Sequence, residues 1–166
     1  MGFDLEGWQP KNKKGEWFRN NVWWWRKLAD FVIHKTGCVD LVDQECWHYN
    51  DGHFVPKQVA EQIAKQLRYL IKTGEVRQFQ FEVTRNMKIA EATNEKVEAL
   101  LDDIRKKAEK ETGQERLAPR EYPKHLKEEW DKTYEQKDWR ANYPFDQKNV
   151  EEFIEFCENS GGFRIR

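Results

Sequence analysis

From residue 83 to residue 108, Val83, Met87, Ala90, Asn94, Val97, Leu101, Ile104 and Ala108 follow one another at spacings of 4, 3, 4, 3, 4, 3 and 4. Only a helix places such a series on one line, and the seam is apolar except at Asn94. The pattern predicts a long charged helix over 76–112, ended by Gly113. Two departures are open at this level. Phe79-Gln80-Phe81-Glu82-Val83 alternates as a strand would, and Thr93-Asn94 is a possible break. A seam of this kind needs a partner. A second copy could meet it through Val83, Met87, Asn94, Val97, Leu101 and Ile104, with Asn94 fixing register, giving a homodimer. Equally, a shorter helix of the same chain, over 123–135, could fold back onto it.

Outside that segment the chain also reads as helical. Asn20 and Asn21 are N-cap residues for a helix to Thr36, with Val22, Trp25, Ala29, Val32 and Ile33 on one face and Trp24, Leu28 and Phe31 beside them. Gly37 is placed to end it. Pro56 opens a second helix, over 56–73, whose stripe is Val59, Ile63, Leu67, Leu70 and Ile71. Asp146 caps a third, over 147–159, burying Val150, Phe153, Ile154 and Cys157. Between them, Met1 to Trp17 reads mostly as loop with a short strand at Phe3-Asp4-Leu5, and Cys38 to His53 as loop with a turn at Asn50-Asp51-Gly52. Gly162 to Arg166 alternates as a half-buried edge strand, so the two ends are expected to pair. The fold class is therefore mainly α: a compact helical core with a small terminal β ribbon. Residues 1–75 with 142–166 form the core, and 76–141 form a helical insert or projecting hairpin.

Charged residues are 36% of the chain and mean hydropathy is -1.03, values that disordered chains share. Eight Trp, five Tyr and ten Phe argue the other way, since disordered chains are poor in large rings. Net charge is -1, with a mild basic excess in residues 1–37, seven Lys/Arg against four Asp/Glu. That balance disfavours nonspecific duplex binding, which phosphate contacts dominate. The opening residues carry Asp4 and Glu6 and no apolar leader, and no run is long enough to span a membrane. Three cysteines, an odd number, then predict reduced thiols in a cytoplasm.

The most unusual stretch is Trp17-Phe18-Arg19-Asn20-Asn21-Val22-Trp23-Trp24-Trp25-Arg26-Lys27. Consecutive tryptophans point about 100° apart around a helix, so at least one must leave the core. The binding reading assigns Trp17, Trp23 and Trp24 to stacking and Arg19, Arg26, Asn20 and Asn21 to polar contacts, with Asp51 and His53 alongside. The structural reading buries two of the three consecutive rings and covers the third with neighbouring segments.

Cys38, Cys46, His48 and His53 lie within sixteen positions as C-x7-C-x-H-x4-H, without the short C-x2-C knuckle of structural zinc sites. Ordinary thiols and loop histidines account for them, and no metal or cofactor is expected. Asp51 and His53 could form an acid–base pair, although Asn50, Asp51 and Gly52 are also turn residues. His34-Lys35-Thr36 is a lone H-x-T, and no Gly-rich phosphate loop, G-x-S-x-G or H-E-x-x-H occurs. No catalytic residue is assigned.

Met1-Gly2-Phe3-Asp4-Leu5, Gly15-Glu16-Trp17-Phe18-Arg19-Asn20-Asn21-Val22-Trp23-Trp24-Trp25-Arg26, Asn50-Asp51-Gly52-His53 and the ending around Ser160-Gly161-Gly162-Phe163 together resemble a group of small uncharacterised proteins of bacteria and their phages. The resemblance covers roughly residues 1–75 and 142–166. Members often carry a cysteine-rich, zinc-ribbon-like insert in the middle; this chain has 76–140 there and no C-x2-C, so no zinc is carried over. The resemblance brings no activity. It implies a phage or mobile-element setting, in a host cytoplasm. The function expected is a noncatalytic binding protein, a phage-encoded modulator of a host component, acting through a Trp/Arg-rich face on a protein partner. A nucleotide-binding or nucleotide-cleaving protein and a single-stranded nucleic-acid binder using Trp23, Arg26 and Lys27 are the alternatives. The first would place Trp rings on the base, Arg19 or Arg26 on phosphate, and a pocket joining the Trp segment to residues 50–53.

Overall fold

A computed structural model describes residues 2–166. The chain is 65% helical, with one long helix and a small four-stranded antiparallel sheet. It divides into two compact units, one running to Thr84 and resuming at Tyr143–Arg166, the other Arg85–Asn142. None of the described helices is long and apolar enough to cross a membrane.

In the first unit, β1 (Gly2–Gly7) lies between β2 (Trp17–Asn21) and β4 (Phe163–Ile165), and β3 (His53–Val55) completes the order β2-β1-β4-β3. The two ends of the chain therefore meet in the middle of the sheet, with Leu5 opposite Ile165 and Gly7 opposite Phe163. β2 and β3 begin at Trp17 and His53, where the loops read from the sequence end, and neither is among the strands expected from the sequence. The four-residue helix α1 (Lys13–Glu16) joins β1 to β2.

Three helices cover one face of this sheet. Helix α2 (Val22–Thr36) follows β2 without a linker because Asn21 caps it, its side chain accepting from the backbone N–H of Trp23 and Trp24. Gly37, at φ 64°, ends it in the left-handed conformation that a Cβ disfavours. Helices α3 (Lys57–Lys72) and α6 (Gln147–Asn159) supply the remaining layer, α6 capped by Asp146 through the Asn149 N–H at 2.7 Å. The core between sheet and helices is aromatic. Trp25 stacks between Phe3 at 5.5 Å and Trp47 at 5.8 Å, and Phe153 meets both indoles edge-on. Trp47 comes from a 3-10 turn at Glu45–His48, and its carbonyl accepts the Trp25 indole N–H at 2.7 Å. A second group, Phe31, Phe79 and Phe145, packs ring on ring at 4.8–5.0 Å. Gly15 permits the close passage of α1 over the end of α6: a Cβ there would lie 2.0 Å from the Asn159 carbonyl oxygen.

Helix α4 runs Glu75–Thr112 without a break at Asn94 and without a strand at Phe79–Val83. In the second unit, α5 (Lys124–Tyr134) and the segment before it lie against it, Tyr122 and Leu126 packing with Ile104 and Ala108, and Leu117 and Trp130 closing the cluster. Of the seam positions named for a dimer, Val83, Val97, Leu101 and Ile104 are buried within the single chain, and Met87 and Asn94 are half-buried. The seam is thus not a free surface. Asn94 fixes an internal register instead: its amide donates to the Asp138 carbonyl at 3.0 Å, and its carbonyl accepts the Asp138 N–H at 2.8 Å.

Candidate functional site

Strand alternation divides the sheet residues between two environments. Phe3, Leu5, Phe18, Val55, Phe163 and Ile165 point inward and are buried. The intervening positions face away from the helices. By register, Trp17, Glu6, Arg164 and Phe54 form one row across all four strands. Arg19, Asp4 and Arg166 form the next, Asp4 and Arg166 exchanging backbone hydrogen bonds of 2.7 Å. Trp8 follows β1 on the same side.

Three large rings stand in solvent on this face: Trp8 at 55% exposure, Trp17 at 51% and Phe54 at 40%. Trp8 and Phe54 meet edge-on at 5.6 Å, and the Arg164 guanidinium lies over the Trp8 indole at 5.2 Å. The charges are arranged unequally. Arg166 pairs with Glu6 at 3.1 Å, and Arg19 Nε lies 3.3 Å from Asp4 Oδ1. Arg164 has no carboxylate partner among the described residues. Two buried side-chain atoms lack a hydrogen-bond partner among those residues, Arg164 Nε and Asp4 Oδ1, and both belong to this face. Such atoms are uncommon in folded chains, and an unsatisfied charged group is the costlier kind. A half-open cleft of about 420 Å³ is walled by Glu6, Gly7, Trp8, Arg164 and Arg166.

The stretch that stands out in the sequence is dispersed over this architecture. Trp17 and Arg19 are on the outer sheet face. Asn20 is half-buried and donates to Asn149 Oδ1 at 3.1 Å, and Asn21 is occupied as the α2 cap. Trp25 is in the core, Trp24 is half-buried, and Trp23 is 40% exposed with its ring edge-on to Tyr143 at 5.1 Å. Arg26 is exposed on α2. Asp51 accepts the His53 backbone N–H at 3.3 Å, the geometry of a turn rather than of an acid–base pair. The cavity that includes His53 is about 40 Å³ and is walled by Cys38, Trp47 and Pro56 among others, with Trp17, Trp23, Trp24, Arg19 and Arg26 outside its walls. It is too small for a nucleotide. Among the described residues, no three His, Cys, Asp or Glu side chains converge as metal ligands.

Trp8, Phe54, Arg164 and Arg166 escape notice in the sequence because they lie in three distant segments. The alternation of Phe163-Arg164-Ile165-Arg166 is the signal for the two arginines once the ends pair, while Trp8 and Phe54 carry none of their own. The structure thus defines a helical protein whose small sheet carries an open aromatic and arginine surface. Compared with profiles of known protein families, with curated proteins and with solved structures, the chain matches none.

Proposed function

We propose that this chain is a noncatalytic binding protein and that its ligand docks on the outer face of the sheet. One observation carries the proposal: three exposed rings and an arginine without an anionic partner share a face whose opposite side is the core. Exposed rings and arginines in this arrangement are characteristic of binding surfaces, where they supply most of the affinity. The motif resemblance adds a bacterial or phage setting, with a host component as the ligand. Trp17 and Arg19 are shared with the stretch conspicuous in the sequence; Trp8, Phe54, Arg164 and Arg166 complete the surface.

Photo-crosslinking tests the proposal without prejudging the ligand. p-Benzoylphenylalanine replaces Trp17 in one variant and Tyr69, an exposed ring on α3, in another. Illumination in bacterial extract is expected to yield discrete adducts from position 17 and none in common from position 69. Equal labelling from both positions, or none from position 17, would remove the outer face as the binding surface.

A further inference from the structure

We infer that the occupant of the outer sheet face is a single-stranded nucleic acid, its bases stacked on Trp17 and on the Trp8–Phe54 pair and a phosphate on Arg164. This inference rests on the binding role proposed above and names the ligand class.

The rings argue for bases. Trp17 and Phe54 occupy the first and last strands of one row, three strand spacings apart, so about 14 Å separates them at about 4.8 Å per spacing. Glu6 and Arg164 lie between the two rings in that row, so one cation stands between stacking groups, as a phosphate stands between bases along an extended strand. Charged side chains set Trp17 apart from the Trp8–Phe54 pair, so the rings form no continuous apolar centre such as the buried core of a protein interface has, and separate bases suit them better. Duplex is disfavoured because its bases are already stacked and offer these rings no face.

The charges argue for few phosphates. Arg19 and Arg166 have carboxylates beside them, Asp4 and Glu6, and these acids would repel a closely packed phosphate backbone. Arg164 is the exception: it is held over Trp8 with Nε unsatisfied at a cleft of about 420 Å³, and the Glu6 beside it across the strands is paired to Arg166 and not to it. One to two phosphate contacts give a slope of log K against log salt of about -0.7 to -1.4 for a single strand, much shallower than for a basic binder. The net charge of -1 is consistent with a surface that relies on stacking.

The test is fluorescence anisotropy of the full chain with a labelled mixed-sequence decanucleotide, as single-stranded RNA, single-stranded DNA and DNA duplex, and with a labelled decaglutamate peptide. Both single strands are expected to bind, and the duplex at least about tenfold more weakly. Trp17→Ala and Trp8→Ala should each weaken single-strand binding about 5- to 150-fold, the range for loss of one stacked base. Arg164→Gln should weaken it and flatten the salt slope by about 0.7. Tyr69→Ala should leave it unchanged, and near-UV circular dichroism of each variant confirms the fold. Binding of the peptide but not of the strands would overturn the inference and assign the face to acidic peptides. Equal affinity for duplex, or insensitivity to Trp17→Ala and Trp8→Ala, would overturn it as well. If the strands fail while crosslinking at position 17 succeeds, the ligand class is wrong and the binding face stands; if both fail, the binding face falls too.

Discussion

Replacing Trp25 with Phe keeps an aromatic ring in the core and removes the indole N–H. Trp25 is fully buried, and that N–H donates 2.7 Å to the Trp47 carbonyl. The introduced phenyl ring has no donor to offer that carbonyl. Leaving a buried acceptor unsatisfied costs about 1–3 kcal/mol. The smaller ring also gives up roughly 40 Å² of buried apolar area, about 1 kcal/mol more. Together these predict a loss of about 2–4 kcal/mol, or a fall in Tm of roughly 5–15 °C. Trp23→Phe removes a ring that is 40% exposed and should cost below about 1 kcal/mol. Urea unfolding followed by far-UV circular dichroism compares the two without depending on tryptophan emission. Equal midpoints for Trp23→Phe and Trp25→Phe would refute the assignment of Trp25 to the core and of its N–H to Trp47.

Gly15→Ala would drive a Cβ to 2.0 Å from the Asn159 carbonyl oxygen and should cost about 3 kcal/mol or more, whereas Gly37→Ala, at φ 64° in open space, should cost about 1–2 kcal/mol; the urea midpoints of the pair separate backbone collision from backbone strain. Burial pushes the Cys157 thiol well above its ordinary value, so a thiol-reactive disulfide dye should titrate Cys38 and Cys46 in the native protein and reach Cys157 only after denaturation. The hydrogen bond from Arg68 holds the Glu158 carboxyl below the usual carboxylate range. Its contribution is therefore present above that range and lost as pH falls through the depressed value. Because both side chains are substantially exposed, Arg68→Ala should cost no more than about 1 kcal/mol at neutral pH, and the difference from the parent urea midpoint should shrink on acidification.

The three core helices and the pairing of the chain ends are legible in the sequence because each rests on a local signal. Asn21, Asp146 and Gly37 are cap residues at the right offsets, and the stripes of α2, α3 and α6 are regular. β2 is less legible because Trp17 to Asn21 alternates for only five residues before the period changes to helical at Val22, so the helix absorbs it. β3 has three residues, too few for any period, and its strand character comes from pairing with β4. Trp47 sits among polar loop residues, and nothing local marks it as central to the core. The heptad seam shows that α4 is covered but not by what. Periodicity is a property of one helix, and the identity of its cover depends on how 113–122 turns back. The site divides in the same way. Trp17 and Arg19 stand out by composition, while Arg164 and Phe54 acquire meaning only through cross-strand register.

The same register keeps the proposed binding face and the core on separate side chains. β4 is three residues long, yet it lies between β1 and β3, and Phe163 and Ile165 are fully buried while Arg164 faces outward. Substituting Arg164 or Trp17 therefore alters the binding face without opening the core, which makes a loss of binding in those variants interpretable. The face itself is not a local structure. It joins residues 4–8 and 17–19 to residue 54 and residues 164–166, and these come together only when β1 finds β4. A ligand spanning Trp17 and Phe54 would thus bind the folded unit and not the unfolded chain, raising its stability by about 2.7 kcal/mol at a hundredfold excess over Kd. Binding at this proposed face would in this way be coupled to the pairing of β1 with β4, with the Arg164 guanidinium donating to an anion that the fold does not supply.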